Sequence, residues 1–139
     1  VGTLLAGWLA DAIGQKVALL STLTLWTAVA LVGAFGEGRA ALWLMAAGAS
    51  VGMGSTQSIA RALMARFAPP ARETEFFGFY VLAGQSGSIL AFFVFGAVSS
   101  ASGDQRLAIL WTVPFFVVGF VILALVDAAR GEREARSAT

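Results

Sequence analysis

With 139 residues, 58% of them hydrophobic and 12% charged, and a mean hydropathy of +0.83, the chain is too apolar for a water-soluble domain of average composition. Nine Lys and Arg against eight Asp and Glu leave a net charge of +1, which excludes an overall electrostatic pull toward nucleic acid. Cys and His are both absent, so disulfide frameworks, thiolate nucleophiles and the usual zinc ligands are ruled out, and neither an enzyme activity nor a cofactor is expected.

Val1 lies inside an apolar stretch, 1–10, that amounts to half a membrane span. With neither an initiator Met nor the basic start and cleavage site of a signal peptide, the chain reads as truncated at its N-terminus. A helix needs about 20 apolar residues to cross roughly 30 Å of hydrocarbon. Uncharged stretches of that order follow at 17–36, 40–60, 76–103 and 107–126, predicting spans at 17–36, 40–60, 76–98 and 107–126. None alternates with the period of two that a membrane β-barrel needs, and none carries the charged stripe of a soluble amphipathic helix. The expected fold is an all-α membrane protein, with four complete transmembrane helices and the end of a fifth forming a bundle over 1–126 and a tail over 127–139.

The connectors differ in charge. One set holds Lys16, Arg61, Arg66, Arg72, Arg130, Arg133 and Arg136, and the other holds Arg39 and Arg106. The positive-inside bias puts the first set and the C-terminus in the cytoplasm of a multi-pass protein, with the cell (inner) membrane as the expected location. Pro69 and Pro70 should end the preceding helix near Phe67, while Glu73, Thr74 and Glu75 read as the start of the next. Pro114 should kink the last span. The polar tail is expected to be frayed and solvated.

Within the spans, Gln85 lies nine residues beyond Phe76, roughly 14 Å into the helix and close to the midplane where transporters hold substrate. Gln85, Ser88 and Tyr80 are therefore candidates to line a solute cavity, against the alternative of interhelical packing. Gly48, Gly52 and Ser55 form a small-residue ridge whose expected role is close helix contact, and Gly84, Gly87 and Ala91 form a similar strip. Arg61 and Arg66, with Gln57 beside them and Glu73 and Glu75 across the loop, suggest an inner gate in which an arginine pairs with Asp11 or a loop carboxylate in one conformation. The alternative is plain surface ion pairing. Trp43, Trp111 and Trp8 read as interfacial anchors and Trp26 as a core or lipid-facing residue. A small dimeric four-helix exporter would need a carboxylate within a span, and none is present; a non-transporting membrane scaffold remains a further class.

The segment 7–16, with Gly7, Asp11, Gly14 and Lys16 at the spacing of a loop signature between two spans, resembles the major facilitator superfamily. The stretches Gly52 to Arg61, Pro69-Pro70, Arg72 to Tyr80 and Gln105 to Ile109 resemble the C-terminal region of the vacuole-effluxer family. This resemblance implies that the chain is the end of the eighth helix and helices nine to twelve of a twelve-helix, two-bundle transporter, although helices two to six would follow a similar loop. It also implies secondary active transport of a small solute, an amino acid in the vacuolar members. The implied partners are the lipid bilayer and a missing N-terminal half, with Gly7, Asp11, Gly14, Lys16, Arg61 and Arg66 as the cytoplasmic gate and loop motif.

Overall fold

The computed structural model describes residue 10 and residues 12–137, and no strand occurs among the described residues. Gly7, Trp8 and Asp11 lie outside them, as does most of the half-span expected at 1–10.

Helix α1, Gln15–Phe35, begins after Gly14, whose φ of 88° lies in the region that favours glycine. It closes at Gly36, whose N–H donates to the Val32 carbonyl at 2.7 Å, and a tight turn reverses the chain into α2, Gly38–Phe67. A side chain on Gly36 would strike the Val32 carbonyl and Ala41. Helix α2 ends where the sequence placed its end, ahead of Pro69 and Pro70, which cannot continue it. A 3-10 turn, Pro70–Arg72, then leads into α3, Glu73–Ser102. Glu73 and Glu75 lie in its first turn, beside the positive end of the helix dipole. Gly103, at φ 66°, stops α3 and donates its N–H to the Ser99 carbonyl at 3.0 Å.

The last apolar stretch departs from a single kinked rod. It is broken into α4, Gln105–Leu110, and α5, Val113–Leu125. Pro114 sits in the first turn of α5, where its missing donor leaves no bond unmade. Thr112 donates its hydroxyl to the Ile109 carbonyl across the break at 2.7 Å. At the head of α4, Asp104 accepts the Arg106 backbone N–H at 2.8 Å.

The tail also differs from expectation. Ala128–Ser137 forms a helix, α6, rather than a frayed end. Asp127 accepts the Arg130 backbone N–H at 3.0 Å and so caps its start. Ala128, Gly131 and Ala135 recur at helical spacing as its covered face; a Cβ on Gly131 would stand 3.1 Å from the Phe67 ring at the end of α2. On the exposed side Arg130 meets Glu134 at 2.8 Å, and the hydrogen bond and charge of that carboxylate raise the arginine's pKa further.

Helix α1 is the hub: it packs along α2 and also meets α4 and α5. α3 touches α4 and the end of α2 and has no buried residue of its own. Small residues dominate the buried positions, which are Ala18, Thr22, Ala30 and Ala34 on α1 and Gly52, Ser55, Ile59 and Leu63 on α2. Large apolar side chains point outward instead, Phe92 being 78% exposed and Leu125 80%, as expected where the surrounding medium is lipid. Gln15–Phe35, Pro70–Ser102 and Gln105–Leu125 are each long and apolar enough to cross a membrane. α2, at 30 residues, is long enough as well, but its glycines, serines and Gln57 make it the least apolar of the long helices.

The seam fixes a stability test. A Cβ on Gly48 would lie 2.5 Å from Val29 Cγ2, whereas one on Gly84 meets nothing within 4 Å. Gly48→Val is expected to destabilise the protein by about 1–3 kcal/mol, the range for overpacking, seen as a lower unfolding midpoint in detergent. Gly84→Val should leave the midpoint in place, and equal losses in both would show that the α1–α2 seam is not the tight one.

Candidate functional site

Helix α2 has two unlike faces. Gly48, Gly52, Ser55, Ile59 and Leu63 form the stripe laid against α1. Met53, Gln57 and Arg61 recur at every fourth residue about half a turn around the helix, and all three are exposed. With Gly54 and Ser58 they line a groove of about 530 Å³, a volume suited to a small molecule.

The groove combines an adaptable thioether, an amide that donates and accepts, a hydroxyl and a guanidinium with five donors. Arg72 and Arg130 are held by Glu75 and Glu134, but Arg61 has no ion-pair partner among the described residues. Its positive charge is therefore available to a ligand. These four side chains can offer hydrogen bonds, a positive charge and an apolar contact to a polar solute. Among the described residues, no group of His, Cys, Asp and Glu is placed to hold a metal ion.

Behind the groove, a polar contact fixes how α2 is turned. Trp26 of α1 donates its indole N–H to Thr56 Oγ1 at 3.0 Å, and Thr56 donates in turn to the Gly52 carbonyl at 2.8 Å. A Cβ on Gly52 would lie 3.0 Å from the Trp26 ring. Phe116 of α5 stacks on that ring with centroids 6.0 Å apart and planes inclined by 16°. Trp26 is thus a core residue joining three helices, and because Thr56 precedes Gln57, its hydrogen bond helps aim the groove side chains outward.

The residues expected at the gate are dispersed among different tasks. Gly14 provides the positive-φ joint ahead of α1. Lys16 donates from Nζ to the Ala124 carbonyl at 2.9 Å and to the Val126 carbonyl at 2.6 Å, placing an ammonium at the negative end of α5. Beside it, Gln15 Oε1 is buried with no hydrogen-bond partner among the described residues. Arg66 is exposed and has a partner, while Gly7 and Asp11 lie outside the described residues.

The cavity candidates on α3 sit apart from the lining of the groove. Gln85 is exposed, and Ser88 donates its hydroxyl to the Gly84 carbonyl of its own helix at 2.9 Å. Tyr80 is half-buried and edge-on to Phe77 with centroids 6.3 Å apart. Met53, Gly54 and Ser58 were not singled out by sequence reasoning. The available signal was the four-residue spacing through Met53, Gln57 and Arg61, lying opposite the small-residue ridge.

Comparison with known proteins agrees with the resemblance in the sequence. A family profile described as Vacuole effluxer Atg22 like matches residues 2–136. The chain is 27% identical over 124 residues to the uncharacterized MFS-type transporter YxiO of Bacillus subtilis (strain 168), covering 89% of this chain and 29% of that protein. It is 30% identical over 112 residues to Autophagy-related protein 22 of Cryptococcus neoformans var. neoformans, covering 79% of this chain and 20% of that protein. Autophagy-related protein 22-1 of Penicillium rubens is 29% identical over 83 residues, 60% of this chain and 14% of its own length. The chain thus spans less than a third of the length of these relatives. No solved structure matches at comparable significance.

The aim of the groove can be tested apart from transport. Thr56→Val removes the acceptor of the Trp26 indole and is expected to cost about 1–3 kcal/mol, the penalty for a stranded buried donor. Trp26 fluorescence should shift at the same time; an unchanged spectrum and unfolding midpoint would show that this hydrogen bond does not set the register of α2.

Proposed function

We propose that this chain, which belongs to the Atg22-like vacuole effluxer family, is part of a secondary transporter in which the polar face of α2 lines the path of a small solute. The observation that carries the reading is the division of α2 into a small-residue face packed on α1 and a groove face bearing Gln57, Ser58 and Arg61, which has no ion-pair partner among the described residues. Its relatives bear the names of transporters and effluxer-type proteins, and its apolar helices make it an integral multi-pass membrane protein.

In this reading α2 is the fourth span. Its lower apolarity is tolerable because one side meets α1 and the other meets a wetted path rather than lipid. The facing wall comes from the N-terminal half of a twelve-helix protein, of which this chain supplies the C-terminal part, and α3 contributes Gln85, Ser88 and Tyr80. Seven cations at the end formed by Lys16, Phe67 and the tail, against two at the other, support a cytoplasmic position for that end and the C-terminus. The solute is exchanged by alternating access, and an amino acid is the solute suggested by the vacuolar members of the family.

The loop motif acts at the cytoplasmic mouth. Gly7 and Gly14 allow the chain to turn, and Lys16 ties the start of α1 to the end of α5. Asp11 is the counter-ion that Arg61 or Arg66 takes up when the mouth closes. Arg61 has no ion-pair partner among the described residues, which leaves it open to take up such a contact.

The test is flux of radiolabelled amino acids in proteoliposomes holding the intact transporter. Gln57→Leu and Gln85→Leu each remove one side-chain hydrogen-bonding group from the path, and the expected loss is roughly tenfold. Full flux in both variants, at normal membrane abundance, would remove the proposed solute path. Failure of the parent protein to move any solute would remove the transport reading itself.

A further inference from the structure

At the end of the molecule opposite Lys16 and Arg66, charge and apolar surface meet in one place. Arg39, at the start of α2, and Arg106, in the first turn of α4, come from different turns of the chain and line a single cavity of about 430 Å³. Neither has an ion-pair partner among the described residues. The nearby Asp104 carboxylate is engaged with the Arg106 backbone N–H at 2.8 Å, and Glu37 is not among the residues lining the cavity. Two like charges bordering one cavity repel each other, and an anion between them would relieve that repulsion.

The rest of the lining is apolar. Leu42, Met45 and Ile109 border the same cavity, and a Cβ on Gly33 would stand 2.9 Å from Met45 Cε and 3.3 Å from Ile109 Cγ2. A small hydrated anion would gain nothing from such walls, whereas a phospholipid presents a phosphate and a hydrocarbon chain together. The position is also right for a headgroup. Arg39 and Arg106 lie at the ends of apolar helices, and Trp43 and Trp111, 71% and 52% exposed, are on the same side, as aromatic residues are at a membrane interface.

We propose that this cavity binds an anionic phospholipid, with its phosphate between Arg39 and Arg106 and an acyl chain along Leu42, Met45 and Ile109. The lipid would join the α1–α2 turn to the head of α4, two regions otherwise linked through α1. The assignment does not depend on the transport reading.

Native mass spectrometry of the detergent-purified protein, titrated with phosphatidylglycerol, tests it. One lipid should be retained in preference to phosphatidylcholine with the same chains. Arg39→Gln or Arg106→Gln should weaken retention about fivefold each and roughly thirtyfold together, at the contribution typical of a basic residue near an anionic headgroup. The double Arg→Lys variant should retain more of the affinity, and Arg72→Gln at the other end should retain all of it. Undiminished binding in the double Gln variant would overturn the proposal. So would displacement of the lipid by glycerol phosphate at equal concentration, which would assign the cavity to a soluble anion. If the double variant fails to fold, as judged by circular dichroism and elution, Leu42→Gln decides: weaker phosphatidylglycerol retention supports the site, and unchanged retention refutes it.

Discussion

Inside hydrocarbon, an apolar side chain gains nothing by leaving lipid for protein, so helices are joined by how closely their backbones can approach. That constraint explains why the covered positions on α1 are Ala18, Thr22, Ala30 and Ala34, and why Gly48 and Gly52 are so tightly placed on α2. It also explains the hydroxyl groups in the seam. Thr22 and Ser55 donate to carbonyls of their own helices at 2.8 and 2.6 Å, so they behave as small residues with their polarity already satisfied. Trp26 is the exception, since its indole donates across to α2.

The polar groove follows from the same seam. A helix that must offer glycine and serine on one side to pack closely has few positions left for large apolar groups, and α2 is consequently less apolar than its neighbours. A one-residue slip of α2 would turn its side chains by about 100° and carry Gln57 and Arg61 away from the groove. The ring of Trp26 against Gly52, with its hydrogen bond to Thr56, opposes that rotation. A packing contact at the centre of the bundle and the groove on its far side are therefore one constraint seen from two sides of a helix.

Much of this fold was legible in the sequence because membrane spans are written in length and charge alone. The apolar runs, the stop at Pro69, the acidic start at Glu73 and the packing role of Gly48, Gly52 and Ser55 need only local arguments. Two features escaped. The break ahead of Pro114 was read as a kink, because a proline signals disruption without saying whether the chain bends or restarts. The tail was read as frayed because Ala128, Gly131 and Ala135 are too small to stand out as an apolar stripe, and their value lies in fitting beside Phe67. The groove was legible only in part: Gln57 and Arg61 attracted notice for their polarity, but which side of α2 faces away from α1 depends on tertiary packing. Lys16 could be marked from its loop, whereas its carbonyl partners lie 108 and 110 residues away.

Those long-range bonds bear on how the two ends of the bundle differ. At one end, Lys16 ties the start of α1 to the close of α5, and α6 then returns from α5 to lie against the end of α2. Four helices are thereby linked through polar and small-residue contacts rather than through chain continuity alone. α3 belongs to no such arrangement: it has no buried residue, and its described contacts are with α4, the end of α2 and the turn that precedes it. Its placement in this bundle is set by its two ends, the Pro70–Arg72 turn and Gly103, more than by its flanks. With no buried residue and no strong packing on α1 among the described residues, α3 is the long helix least constrained by the α1 hub, while the grip on α2 holds the groove in a fixed aim. In the solute path proposed above, α2 would be the firmly seated wall and α3 the loosely seated one, so the path would change width without disturbing the α1–α2 seam.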